Sequence, residues 1–86
     1  RMSEPQAAVA AGQLTRLEAI AAKRSELGNR LTAGISGIDG LMPHEVRSGD
    51  RAVYWFYFFR MNPDAFRCTR AEFVKALGAE GVPCSA

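Results

Sequence analysis

Apolar residues in the first part of the chain are spaced as in a helix. Residues 3–33 contain no proline after Pro5 and are rich in residue types that favour helix. Their larger apolar positions recur roughly three or four residues apart and form a single stripe, Ala10, Leu14, Leu17, Ala21, Leu27 and Leu31. Gly12 and Gly28 weaken the pattern. We therefore predict one long helix that begins with a capping box of Ser3 and Gln6, is kinked or broken near Leu17–Ile20 and stops near Gly34.

The second part of the chain alternates strand and helix signals. Leu41 and Met42 predict a short strand that Pro43 ends. Residues 53–59 are all aromatic or β-branched, which predicts the main strand, covered on both faces. A helix begins after Thr69, which forms a capping box with Glu72, and runs to about residue 80. The expected fold class is α+β, a long N-terminal helix and a small antiparallel sheet with a second helix.

The aromatic strand at residues 53–59 has two interpretations. Aromatic side chains on a sheet can stack nucleotide bases, as they do in RNA-binding sheets. Those sheets carry the aromatic residues within a basic, glycine-containing motif, which this sequence lacks. The run is therefore better explained as core and interface.

Composition excludes several partner classes. The chain has 86 residues and a net charge of +2, which is too small to favour nucleic acid. No apolar run approaches the roughly 20 residues of a membrane-spanning helix. Hydrophobic residues make up 48% of the chain, which is high for so small a domain. A domain of this size is only marginally stable on its own core. We therefore expect a buried interface with other protein.

Few side chains could hold a metal or act as a nucleophile. Cys68 and Cys84 have no CxxC spacing, and His44 is the only histidine, whereas a structural zinc needs about four ligands. The same lone histidine is the only imidazole base for a serine or cysteine nucleophile. A disulfide between the cysteines is an alternative to two reduced thiols, and the sequence favours the thiols of a cytoplasmic protein.

Several short motifs, in order, resemble the DegT/StrS group of aminotransferases, which use pyridoxal phosphate (PLP). Arg1–Val9 looks like the segment that follows the cofactor-lysine loop in that family. Gln13–Glu18 is similar to its Gln-Leu-x-x-Leu-Asp, and Val53–Tyr57 to its C-terminal aromatic strand. Phe73–Ala86 looks like the helix and strand that lead to a Gly-Tyr segment near the substrate. Pro5 departs from the Leu, Ile or Met usual in the family.

The resemblance implies a C-terminal portion of an enzyme that aminates keto-sugars or cyclitols. On this reading, residues 1–34 form a long helix joining a large domain that is missing here, and residues 35–86 form a small α+β domain of fold type I. The Tyr-Trp pair and the Glu-Gly-Val-Pro-Cys-Ser run lean toward relatives acting on cyclitol ketones or aminobenzoate-type substrates.

The family also implies partners and one site residue. Its active sites form between two subunits, so the chain is expected to form a homo-oligomer and to join an N-terminal PLP domain. Arg1 would then lie near the cofactor phosphate or an anionic substrate group across the dimer. The alternative is a disordered terminal arginine.

The resemblance leaves no catalytic residue in this chain. The two lysines, Lys23 and Lys75, lie within predicted helices, and neither precedes the glycine-rich loop that follows the cofactor lysine in the family. No PLP binding and no transamination are expected of the chain alone. The competing hypothesis is a freestanding interaction module that binds a partner through the long helix or the aromatic strand.

Overall fold

The computed structural model describes residues 1–85 and has α+β architecture. Along the chain come helix α1 (Glu4–Leu14), helix α2 (Leu17–Ile35), strand β1 (Leu41–Pro43), strand β2 (Phe59–Met61), a 3-10 turn at Pro63–Ala65 and helix α3 (Arg70–Ala79). The two strands pair antiparallel, with Leu41 opposite Met61 and Pro43 opposite Phe59. The expected fold class is thus confirmed at this level.

The chain divides into two units. Unit 1 comprises Arg1–Leu31 and Val46–Tyr57, and so holds α1, most of α2 and the aromatic run. Unit 2 begins with Thr32–Glu45 and resumes at Phe58, and it holds the end of α2, the two strands and α3. The boundary near residue 34 that the family resemblance implies for the complete enzyme stays a prediction.

The first helical stretch is broken just before the expected place. Helix α1 begins with the predicted capping box, in which the Ser3 backbone N–H donates to Gln6 Oε1 at 2.9 Å. It ends at Leu14, where the Thr15 hydroxyl donates to the Gly12 carbonyl at 2.8 Å. That hydroxyl competes with the backbone for a helical acceptor. The break therefore falls at residues 15 and 16 rather than at Leu17–Ile20.

The predicted strand over Val53–Phe59 is wrong for all but its last residue. Tyr54 has φ of +53°, a left-handed conformation that no regular strand contains. The carbonyls of Ala52 and Trp55 accept from side chains of α2 instead of from a neighbouring strand. The run is therefore an irregular segment, and only Phe59 enters β2.

Helix α3 matches its prediction at both ends. Thr69 is the N-cap, and Gly81, with φ of +87°, follows the C-cap residue Glu80. The N–H groups of Gly81 and Val82 donate to the carbonyls of Gly78 and Leu77 at 3.0 and 3.1 Å, which is the Schellman pattern. Residues 82–85 form no strand, although the family resemblance implies a strand after this helix.

The inner face of α3 contacts the aromatic residues of unit 2. The Phe73 ring meets the rings of Phe59 and Phe66 edge-on, at centroid distances of 6.4 and 5.5 Å. Phe73, Val74 and Leu77 are half-buried, whereas Ala76 is exposed. This aromatic cluster is the packed centre of unit 2.

The N-terminus of α3 should respond to acid. The Thr69 backbone N–H and hydroxyl donate to Glu72 Oε2 at 2.7 and 2.9 Å, and these hydrogen bonds lower the pKa of Glu72 below its ordinary value. A carboxyl whose pKa is lowered by folding stabilises the helix at neutral pH. That contribution is lost as pH falls through the lowered pKa.

We expect Thr69→Val, which removes the hydroxyl but keeps the backbone N–H, to raise the Glu72 pKa part of the way to its ordinary value. The same substitution should speed amide exchange in the first turn of α3, because a cap contributes about 1 kcal/mol. Carboxyl-detected NMR titration measures the pKa directly. An unchanged Glu72 titration would show that the hydroxyl does not hold the carboxylate.

Candidate functional site

A segment of unit 1, residues 51–57, lies against α2 and is called here the aromatic strap. Side chains of α2 hold it at successive points. Arg51 Nη1 pairs with Glu18 Oε1 at 2.7 Å, and the Ser25 hydroxyl donates to the Ala52 carbonyl at 2.6 Å. Further along, the Tyr54 hydroxyl donates to Asn29 Oδ1 at 2.9 Å. Since backbone and side-chain groups are both engaged, the strap has a defined register on the helix.

Gly28 makes room for the strap on α2. It is one of the two buried residues in the described chain, and the other is Ala21, at 7% exposure. A Cβ built at Gly28 would overlap Cδ2 of the Tyr54 ring and would lie 2.5 Å from Cγ and Cε2. The aromatic ring thus packs directly on the helix backbone, which only a glycine permits.

The strap turns at Tyr54 and presents two aromatic side chains outward. Trp55 and Phe56 are 75% and 65% exposed, and their rings meet at 84° with centroids 6.1 Å apart. Arg24 supports the turn twice. Its Nη2 donates to the Trp55 carbonyl at 3.0 Å, and its guanidinium carbon lies 5.2 Å from the centroid of the Trp55 ring system. This is a cation–π contact.

A cavity of about 260 Å³ opens between the strap and α2 within unit 1. Its walls are apolar or aromatic except for one guanidinium, and they are Arg24, Leu27, Gly28, Leu31, Tyr54 and Tyr57. Tyr54 and Tyr57 stack at 5.6 Å between centroids. The lining contains no carboxylate, thiol, lysine or histidine. These largely apolar and aromatic walls suit contact with an apolar surface.

The two lysines do not fit a pyridoxal phosphate site within this chain. Lys23 Nζ is exposed and binds both oxygens of Glu26 at 2.9 and 3.1 Å. Lys75 is exposed on α3. A cofactor lysine needs a desolvated setting that favours the neutral amine, and neither lysine is buried. The residues present here do not form the cofactor-lysine environment.

The other sequence candidates are exposed or half-buried. Arg1 is exposed and precedes α1, and nothing in the fold tests its expected role at an anion. His44 is exposed after β1. Cys68 and Cys84 are free thiols, and Cys84 Sγ contacts the Val74 carbonyl at 3.5 Å. Among residues 1–85 no cluster of three metal-binding side chains occurs.

Sequence reasoning missed the residues of α2 that hold the strap. Neither Arg24 nor Ser25 was singled out from the sequence, and Gly28 was taken as a weakness in the helix. The available signal was Gly28 itself, because a glycine inside a helix costs about 1 kcal/mol and needs a packing reason. The approach of Tyr54 to its backbone is that reason.

No helix in the described chain is both long enough and apolar enough to cross a bilayer.

Comparisons with known proteins agree with the motif resemblance. The chain is 37% identical over 87 aligned residues to a Streptomyces kanamyceticus protein named as a candidate L-glutamine:3-amino-2,3-dideoxy-scyllo-inosose aminotransferase. The alignment covers 95% of this chain and 20% of that relative, so the chain spans about a fifth of its length. No solved structure matches. The model of the DegT/DnrJ/EryC1/StrS aminotransferase family matches residues 1–86, and the chain therefore belongs to that family.

Proposed function

We propose that this chain is the C-terminal part of a PLP-dependent aminotransferase that aminates keto-sugars or cyclitols. The family match over residues 1–86 carries the proposal. The relative's name specifies a cyclitol ketone as substrate and L-glutamine as amino donor. We propose the same substrate class and the same amino donor for the enzyme that contains this chain. The freestanding interaction module gains no support from either comparison.

In the proposed enzyme the chain supplies surfaces rather than the reacting groups. The cofactor lysine belongs to another part of the polypeptide, because Lys23 is ion-paired and Lys75 is exposed. Residues 1–34 join the large PLP domain, and residues 35–86 belong to the small domain of a fold-type-I enzyme. We place the whole enzyme in the cytoplasm.

The exposed apolar side chains of unit 1 support the proposal that other parts of the enzyme pack against this unit. Ala21 is the one buried apolar side chain in the core of the described residues, while large apolar side chains on both helices of unit 1 are exposed. They include Val9, Leu14, Leu17, Leu27 and Leu31. Exposed apolar patches of this kind mark protein interfaces. We propose that the large domain and a second subunit cover them, and that Arg1 reaches an anion across that dimer.

An amination assay tests the proposed function. The complete polypeptide that contains this chain, loaded with PLP, is incubated with L-glutamine and a cyclitol ketone, and the amine product is measured. We expect turnover from the complete polypeptide and none from residues 1–86 alone. Turnover by the 86-residue chain, or none by the PLP-loaded polypeptide with any cyclitol or sugar ketone, would contradict the proposal.

Self-association gives a separate prediction. Isolated residues 1–86 should form dimers or larger assemblies at micromolar concentration, because association removes the exposed leucines from water at about 25 cal/mol per Å² of apolar surface. Sedimentation velocity measures the mass. Leu27→Glu with Leu31→Glu should shift the equilibrium toward monomer, and Arg67→Glu is the control. A stable compact monomer at all concentrations would refute this prediction.

A further inference from the structure

Unit 2 contains a second concave surface that the proposed function does not use. It is a cavity of about 380 Å³, within the usual range of small-ligand sites, roughly 300–1,000 Å³. Four of its lining residues are apolar, and the other three are the hydrogen-bond donors Arg60, Asn62 and Arg70. The apolar four are Met42, Phe59, Met61 and Pro63.

The fold brings the two arginines to one site from separate elements. Arg60 is the middle residue of β2 and is paired with Met42 of β1, so both side chains leave the same face of the sheet. Arg70 is the first residue of α3. Asn62 lies between these elements, and its Oδ1 accepts from the Asp64 N–H at 3.2 Å, which leaves its NH₂ group to donate.

No acidic side chain in the lining of this cavity balances the positive charge of the two arginines. Its lining includes no carboxylate, and within residues 1–85 neither Arg60 nor Arg70 forms an ion pair. Glu72, two residues after Arg70, has its Oε2 engaged by the N–H and hydroxyl of Thr69. Two guanidinium groups on one concave surface therefore lack an anion.

We propose that this cavity binds a phosphomonoester whose organic part is a ring or other apolar body. Guanidinium groups bind phosphate oxygens through paired, charge-assisted hydrogen bonds, and a dianion matches two of them. The apolar lining, which includes Met42 on the same face of the sheet as Arg60, contacts the organic part. The inference does not depend on the aminotransferase assignment.

Calorimetric titration with phenyl phosphate tests the proposal. The probe has a dianionic head and a flat ring, and it has no aldehyde that could react with a lysine. The complete polypeptide is used with PLP at saturation, so that a cofactor site is already filled. We expect one saturable site with a dissociation constant on the order of 1 mM or tighter at pH 7.5. Inorganic phosphate should bind at least about tenfold more weakly, because it lacks the apolar body.

Single substitutions assign the site. Arg60→Met and Arg70→Met should each weaken phenyl phosphate binding about tenfold or more, since each removes a charge-assisted hydrogen bond. Arg67→Met is the matched control, because Arg67 is an exposed arginine outside the cavity lining, and it should leave affinity unchanged. Circular dichroism identifies any variant that fails to fold, and the other arginine variant then decides.

Three results would overturn the proposal. The first is that phenyl phosphate shows no saturable binding. The second is that phenyl phosphate and inorganic phosphate bind with equal affinity. The third is that Arg67→Met weakens phenyl phosphate binding as much as Arg60→Met or Arg70→Met does. An amination assay on the same preparations tests the proposed function separately. Calorimetry measures phenyl phosphate binding without any turnover, so either proposal can fail while the other holds.

Discussion

Gly28→Ala should destabilise unit 1, although alanine is the better helix former. Helix propensity alone predicts a gain of about 0.5–1 kcal/mol for glycine to alanine inside a helix. The added methyl group would overlap the Tyr54 ring, which packs on the helix backbone at this residue. Overpacking of this kind costs about 1–3 kcal/mol. We expect a net loss of about 1–2 kcal/mol in the free energy of unfolding, with release of the aromatic strap.

Gly12→Ala is the matched control, because Gly12 lies inside α1 of the same unit. A Cβ at Gly12 meets nothing within 4 Å, so only the propensity gain applies and stability should rise. Urea unfolding measures both variants, and Trp55, the only tryptophan, reports strap release through its fluorescence. Equal stabilisation by the two substitutions would show that Tyr54 does not rest on Gly28.

Gly40→Ala should have the largest effect in unit 2. Gly40 immediately precedes β1 and has φ of +85°, a conformation that costs other residues about 1–2 kcal/mol. A Cβ there would overlap the Ala65 side chain and would lie 2.7 Å from Cε2 of Phe66. The Gly40 carbonyl also accepts from the Asn62 N–H at 2.8 Å, next to the strand pair. The combined loss should be about 3 kcal/mol.

Gly49→Ala separates the two causes of that loss. Gly49 has φ of +90°, and a Cβ there meets nothing within 4 Å. It should therefore cost only the backbone strain, about 1–2 kcal/mol. Thermal unfolding of the two variants gives the difference. Equal shifts in Tm would mean that the overlap of the added Cβ with Ala65 and Phe66 costs nothing beyond the backbone strain.

Local signals in the sequence were sufficient to predict where α1 begins and where α3 begins and ends. The capping boxes at Ser3 and Thr69, and the glycine after α3, depend on groups within a few residues of one another. Such contacts are encoded by spacing and hold in any surroundings. The short strand at Leu41 was likewise predicted from local pattern.

Long-range contacts account for what the sequence did not reveal. The aromatic strap has strong strand propensity, yet Arg24, Ser25 and Asn29 bind it from about 25 to 31 residues away. Strand preference describes fit to a half-buried surface, and here the surface is a helix. The expected anion site at Arg1 could not be tested by local chemistry, because the resemblance places its partners in another subunit.

The location of the cofactor lysine tests the central claim most directly. Borohydride reduction fixes pyridoxal phosphate to the lysine that holds it, and peptide mass mapping then identifies that lysine in the complete PLP-loaded polypeptide. We predict one stoichiometrically labelled lysine outside residues 1–86, with Lys23 and Lys75 no more reactive than other exposed lysines. Stoichiometric labelling of Lys23 or Lys75 would contradict it, and would place the catalytic centre in this chain.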